Sequence, residues 1–128
     1  MVTYFKALTV AGSDSGGGAG IQADLKTFAA LKVYGTSAIT SVTAQNSQKF
    51  LAIKYLPSLL IIQQINAVLS DIGANAIKTG LLGKPNVVRA VVECVTPHPE
   101  IPLIIDPVMT STTGRTFMDF KNNFIEFW

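Results

Sequence analysis

The sequence predicts an α/β protein with a mostly parallel sheet and helices on both faces, and three observations carry that prediction. Short β-branched runs alternate with longer runs of helical period, the pattern of strands joined by crossover helices. The run Leu103–Ile105 is wholly apolar, as expected of a strand covered on both faces. No linker, repeat or low-complexity segment interrupts the chain, so its 128 residues, 48% hydrophobic and 14% charged, form one domain with an apolar core.

The elements follow in order. Ala7–Ala11 is the first strand, and Ile21, Leu25, Phe28 and Leu31 fall on one face of the helix after it, with Gly35 ending that unit. Ser37–Thr43 reads as the second strand and Leu51–Tyr55 as a shorter strand or extended connection. Ser58 is placed to cap a helix running to Ile72, with Ile62, Ile65, Leu69 and Ile72 inward and Gly73 just beyond the end. Ala76–Thr79 is the third core strand. Pro85 opens a helix whose inner face is Val87, Val88, Val91, Val92 and Val95, and the turn from Pro97 to Pro102 leads into the fourth strand at Leu103.

Composition excludes several functions. The net charge of +2 is scattered rather than clustered, which gives no footprint for nucleic acid or an anionic membrane. The most apolar stretch, Leu56 to Leu69, is broken by Pro57, Ser58, Gln63, Gln64 and Asn66, and residues 1–20 lack the features of a secretory leader. A cytoplasmic protein is expected. Cys94, the single cysteine, lies in a helical apolar pattern and reads as core packing rather than as a reactive thiol.

An unusual residue follows each core strand: Gly12 with Asp14, Gln45 with Asn46, Gly80, and Asp106 with Pro107. Ligands of open α/β sheets bind beyond the carboxyl ends of the strands, so these points are expected to converge on one site, although Gly and Asp-Pro also serve plain turns. Gly12 to Gly20 ends at a helix start, where free N–H groups favour an anion or polar ligand; tight strand-to-helix packing is the alternative. The segment fits neither the Walker A template nor the dinucleotide fingerprint.

The run from Ala11 to Thr27, AGSDSGGGAGIQADLKT, resembles the opening signature of the hydroxymethylpyrimidine/phosphomethylpyrimidine kinases. Three later blocks match in order: Thr43–Asn46, Ile77–Leu82, and Ile105–Met109 with Ser111–Gly114, so the likeness covers nearly all of residues 5–114 and fades beyond. It implies a ribokinase-like fold cut after about four core strands, with residues 1–128 forming a partial domain that lacks the family's C-terminal half. Pyridoxal kinases share that fold and rank second.

The resemblance assigns roles residue by residue. Gln45 would read the pyrimidine, an amide suiting a ring nitrogen beside an exocyclic amine. Asp24, read as lying in the first turn of its helix, would hold the substrate or the glycine loop, with helix-dipole stabilisation equally open. Gly12 would bring backbone close to the ring, Leu81 and Val108 would wall it, and Asp106 would serve the nucleotide side as a Mg2+ ligand. Lys78 either faces the crevice or reaches solvent. The implied cofactors are ATP and Mg2+, the partner is a small pyrimidine, and a family-type homodimer is allowed. The implied reaction is ATP-dependent phosphorylation of 4-amino-5-hydroxymethyl-2-methylpyrimidine or its monophosphate in thiamine biosynthesis. The family's base and anion hole lie in its second half, so no catalytic residue is expected within this chain, and a non-catalytic pyrimidine-binding remnant is the competing reading. A nicotinamide oxidoreductase is disfavoured by the failed fingerprint.

Overall fold

A computed structural model of the chain describes residues 3–117. The elements run β1 (Lys6–Ala11), α1 (Gly20–Ala30), β2 (Tyr34–Ile39), β3 (Ser41–Gln45), β4 (Phe50–Tyr55), α2 (Ser58–Ala67), β5 (Ala76–Thr79), α3 (Pro85–Val95) and β6 (Leu103–Ile105). Four strands form a parallel sheet in the order β2-β1-β5-β6, while β3 and β4 pair antiparallel as a separate ribbon. The expected α/β architecture with a parallel sheet is present.

Alternation along the central strands puts a helix on each face. Leu8, Val10 and Ile77 pack with Ile61 and Ile65 of α2 and Val87, Val88 and Val91 of α3 into the main core. The intervening Thr9 and Lys78 turn the other way and reach Asp24 of α1. β1 is central, and its residues 8–11 are fully buried.

Several boundaries differ from the sequence reading. The single strand expected over Ser37–Thr43 is two, because the chain leaves the sheet at Thr40, whose hydroxyl donates to the Leu81 carbonyl at 2.6 Å. Gly35 lies inside β2 rather than ending a unit: a Cβ there would sit 2.8 Å from Leu25 and 2.9 Å from Phe28, so it lets α1 lie close on the sheet. Leu31, expected on the inner face, is 69% exposed, since α1 ends before it.

Ser58 is the first residue of α2 and not its cap; extended Pro57 precedes it, and the Ser58 hydroxyl accepts from Asn86. The inner face of α2 centres on Ile61 and Ile65, with Ile62 and Leu69 half-buried. Its last turn widens to a π turn over Val68–Ile72, and Gly73 follows at φ +74, the left-handed stop expected of it. In α3, Ala90 and Cys94 are buried while Val92 faces outward. Cys94 is free and buried as read, and burial, then the Glu93 carboxylate, pushes its thiol up in pKa.

Gln64, which had read only as a polar break, ties α2 to the last residue of β2 at the sheet edge. Its amide accepts from the Ile39 N–H at 2.9 Å and donates to the Ile39 carbonyl at 3.0 Å. At the other edge β6 pairs, among the described residues, only with β5, and its three residues are 39–51% exposed instead of covered on both faces. Among the described residues no helix is long and apolar enough to cross a membrane.

Candidate functional site

The loops after β1, β3, β5 and β6 meet at one end of the sheet around a cavity of about 650 Å³. Gly12, Asp24, Gln45, Leu81, Asp106 and Val108 all line it, as do Lys78 and Gly80. The expected convergence is therefore present, with one change of source: Gln45 comes from the antiparallel ribbon rather than from the main sheet.

The glycine segment is built around Asp14, which is only 8% exposed. One carboxylate oxygen accepts from the Gly16 N–H at 2.8 Å, and the other accepts from Gly18 and Ala19 at 2.9 and 2.8 Å. Gly17 donates to the Asp14 carbonyl and Ile21 to that of Gly12. Asp14 thus gathers three N–H groups of the loop that leads into α1, while the Ile21 N–H of the first turn goes to the Gly12 carbonyl. Gly20, at φ +59, is required here because a Cβ would lie directly against the Gly12 carbonyl oxygen.

Asp24 stands one turn further into α1 than the sequence reading placed it, since the first turn holds no acidic residue. One of its oxygens accepts from the Thr9 hydroxyl at 2.6 Å and from the Lys78 ammonium at 3.1 Å. The same ammonium lies 3.8 Å from Asp106. Lys78 therefore faces the crevice and bridges two carboxylates. Three carboxylates, Asp14, Asp24 and Asp106, and the one ammonium of Lys78 line the cavity.

The ribbon is fastened to the first loop by three side chains, Ser13, Ser15 and Thr43. The Ser15 hydroxyl donates to the Gln45 carbonyl at 2.5 Å and accepts from the Gln45 N–H at 2.8 Å. The Thr43 hydroxyl donates to the Ser13 carbonyl at 2.8 Å, and the Gln45 amide nitrogen lies 3.1 Å from the same hydroxyl oxygen. Sequence reasoning missed these partners because no spacing rule puts residue 13 beside residue 43. It also missed Gln22, which accepts from the Asp14 N–H, and Lys26, which holds the Gly17 carbonyl. Thr9 had a signal, a polar residue in the middle of an apolar strand.

Asp106 is the outermost of these groups, its side chain 55% exposed at the rim. No group of three or more His, Cys, Asp or Glu side chains among the described residues could enclose a metal. Phe117 also lines the cavity, its ring 5.5 Å from that of Phe50, while Arg115 stacks 4.6 Å over Phe50. The other aromatics of the C-terminal segment lie outside the described residues.

Comparison with known proteins gives consistent results. The family described as phosphomethylpyrimidine kinase matches residues 14–124, ten residues past the point where the likeness had read as fading. A hydroxymethylpyrimidine/phosphomethylpyrimidine kinase of Synechococcus elongatus is 50% identical over 113 residues, covering 88% of this chain and 43% of that protein. The crystal structure of a phosphomethylpyrimidine kinase from Clostridium difficile 630 superposes with a TM-score of 0.83 at 44% identity, over 90% of this chain and 50% of that one. The pyridoxal kinase of Staphylococcus aureus, in complex with AMP-PCP and pyridoxal, superposes with a TM-score of 0.75 at 38% identity, over 84% of this chain and 40% of that one. The chain thus spans half or less of the length of each of these relatives.

Proposed function

Because the chain belongs to the phosphomethylpyrimidine kinase family, we propose that its cavity holds 4-amino-5-hydroxymethyl-2-methylpyrimidine or its monophosphate for ATP-dependent phosphorylation in thiamine biosynthesis. The observation that carries this reading is the meeting of the Gln45 amide, the Asp24 carboxylate and apolar Leu81 and Val108 around one cavity.

In this reading the Gln45 amide pairs with the ring's amine and the nitrogen beside it, and the Asp24 oxygen not engaged by Thr9 and Lys78 takes an amine hydrogen. Leu81, 8% exposed, and Val108 flank the ring, and Gly12 presents backbone to the cavity, while a Cβ there would meet the Ser41 hydroxyl at 2.6 Å. Lys78 holds the two carboxylates in place. With the alcohol, transfer joins the hydroxymethyl oxygen to the terminal phosphorus of ATP, breaks that phosphorus's bond to the ADP oxygen and releases the hydroxyl proton; with the monophosphate, a phosphate oxygen attacks instead. We assign no side chain of this cavity as the base; Asp14 is unsuited because both oxygens are engaged.

Mg2+ takes one or two carboxylates and completes its shell with phosphate oxygens and water, and exposed Asp106 fits that demand as a single ligand. When bound, the metal would neutralise phosphate charge that the acidic cavity does not. A cytoplasmic location and a family-type homodimer belong to the same proposal.

Pyridoxal is the second reading, favoured by the likeness to the Staphylococcus kinase, but that ring lacks the amine that Gln45 and Asp24 suit. A coupled assay of ATP consumption by the purified chain, with each ring in turn, tests the proposal. Pyrimidine-dependent ADP release establishes turnover; pyrimidine binding without release leaves a non-catalytic pyrimidine module; pyridoxal-dependent release alone overturns the choice of ring.

A further inference from the structure

We propose that Thr43 sets the polarity of the Gln45 amide and thereby makes the cavity select a ring with an exocyclic amine over one with an oxo group at the same position; this rests on the pyrimidine reading above. Thr43 is buried, and its hydroxyl has a single hydrogen, which goes to the Ser13 carbonyl at 2.8 Å. A carbonyl only accepts, so the Thr43 oxygen has nothing but lone pairs to offer Gln45. The 3.1 Å contact must therefore be made by the Gln45 nitrogen. Turned over, the amide would set oxygen against oxygen.

The backbone of Gln45 is clamped on both its N–H and its carbonyl by Ser15, so the side chain departs from a fixed point. One amide hydrogen is committed to Thr43, leaving the amide oxygen and the second N–H for a ligand in the cavity that Gln45 lines. That edge complements an amine beside an unprotonated ring nitrogen. A 4-oxo ring with a protonated ring nitrogen presents the reverse order and meets acceptor with acceptor and donor with donor. Thr43 is thus a positioning residue acting through Gln45.

The test titrates the full chain with 4-amino-5-hydroxymethyl-2-methylpyrimidine and with its 4-oxo counterpart, in the wild type, Thr43→Ser and Thr43→Val. The wild type and Thr43→Ser are expected to prefer the amino ring by roughly tenfold or more, and Thr43→Val to fall to near parity, because the freed amide can rotate. Side-chain amide NMR supplies a ligand-free readout: the Gln45 pair, identified by its loss in Gln45→Ala, should have one proton shifted and slow to exchange in the wild type and Thr43→Ser but not in Thr43→Val. A Thr43→Val protein that keeps both the preference and the shifted proton overturns the role of Thr43 alone. A wild type that binds neither ring overturns the pyrimidine reading and the selectivity with it. If Thr43→Val does not fold, a wild-type Gln45 pair with both protons at free-amide positions overturns the lock.

Discussion

Both oxygens of Asp14 are bound to the backbone of its own loop, and this one side chain decides what kind of site the glycine segment can be. Hydrogen bonds to a charged acceptor contribute about 1.5–3 kcal/mol each where burial is high, so the three N–H groups gathered by Asp14 are a concentrated source of local stability. Asp14→Ala is therefore expected to lower the unfolding free energy by about 2 kcal/mol or more in a urea titration, with Asp14→Asn intermediate because it keeps one acceptor. An Asp14→Ala protein as stable as the wild type would mean that the loop is ordered by something else. The position was expected, with Gly12, to be one of the points that converge on the site; glycine counting shows that a loop is permissive but not which side chain orders it. Lys78 is the parallel case, since the sequence left two directions for its ammonium and only the pairing of β5 beside β1 turns it toward Asp24.

At the scale of elements, the order of strands and helices was legible because period and punctuation agree: Pro85 at a helix start, Gly73 past a helix end, β-branched runs between. The errors share one physical cause, tertiary partners that local pattern does not encode. Ser37–Thr43 is a continuous strand-like run, yet the Thr40 hydroxyl is drawn to Leu81 and the chain changes sheets there. Gln64, in an apolar helix, bonds both backbone groups of Ile39 at the end of β2, which nothing local reveals. The start of α1 depends on a different kind of constraint, the left-handed Gly20 lying against Gly12. Gly20→Ala is expected to cost about 1–2 kcal/mol for the left-handed conformation, with more for the clash against backbone that cannot withdraw, and thermal denaturation should show a fall of several degrees. An unchanged melting temperature would contradict the close approach of loop and helix.

At the scale of the molecule, β2 and β6 are the edges of the parallel sheet among the described residues. In β6, Leu103, Ile104 and Ile105 present an apolar strand paired on one side, a template for another copy to pair with. Light scattering after size exclusion is expected to show concentration-dependent association of the purified chain, reduced by Ile104→Lys; a monomer at all concentrations would mean the edge is covered. The cavity lies at the carboxyl ends of the strands, so its recognition groups should act whatever the state of that edge, and the most direct measurement is of recognition itself. Calorimetric titration of the chain with 4-amino-5-hydroxymethyl-2-methylpyrimidine should show one site, weakened roughly ten- to a hundredfold in Gln45→Ala, the cost of leaving buried polar partners unpaired. Absence of binding by the wild type, or equal affinity in Gln45→Ala, would contradict the assignment of this cavity to the pyrimidine.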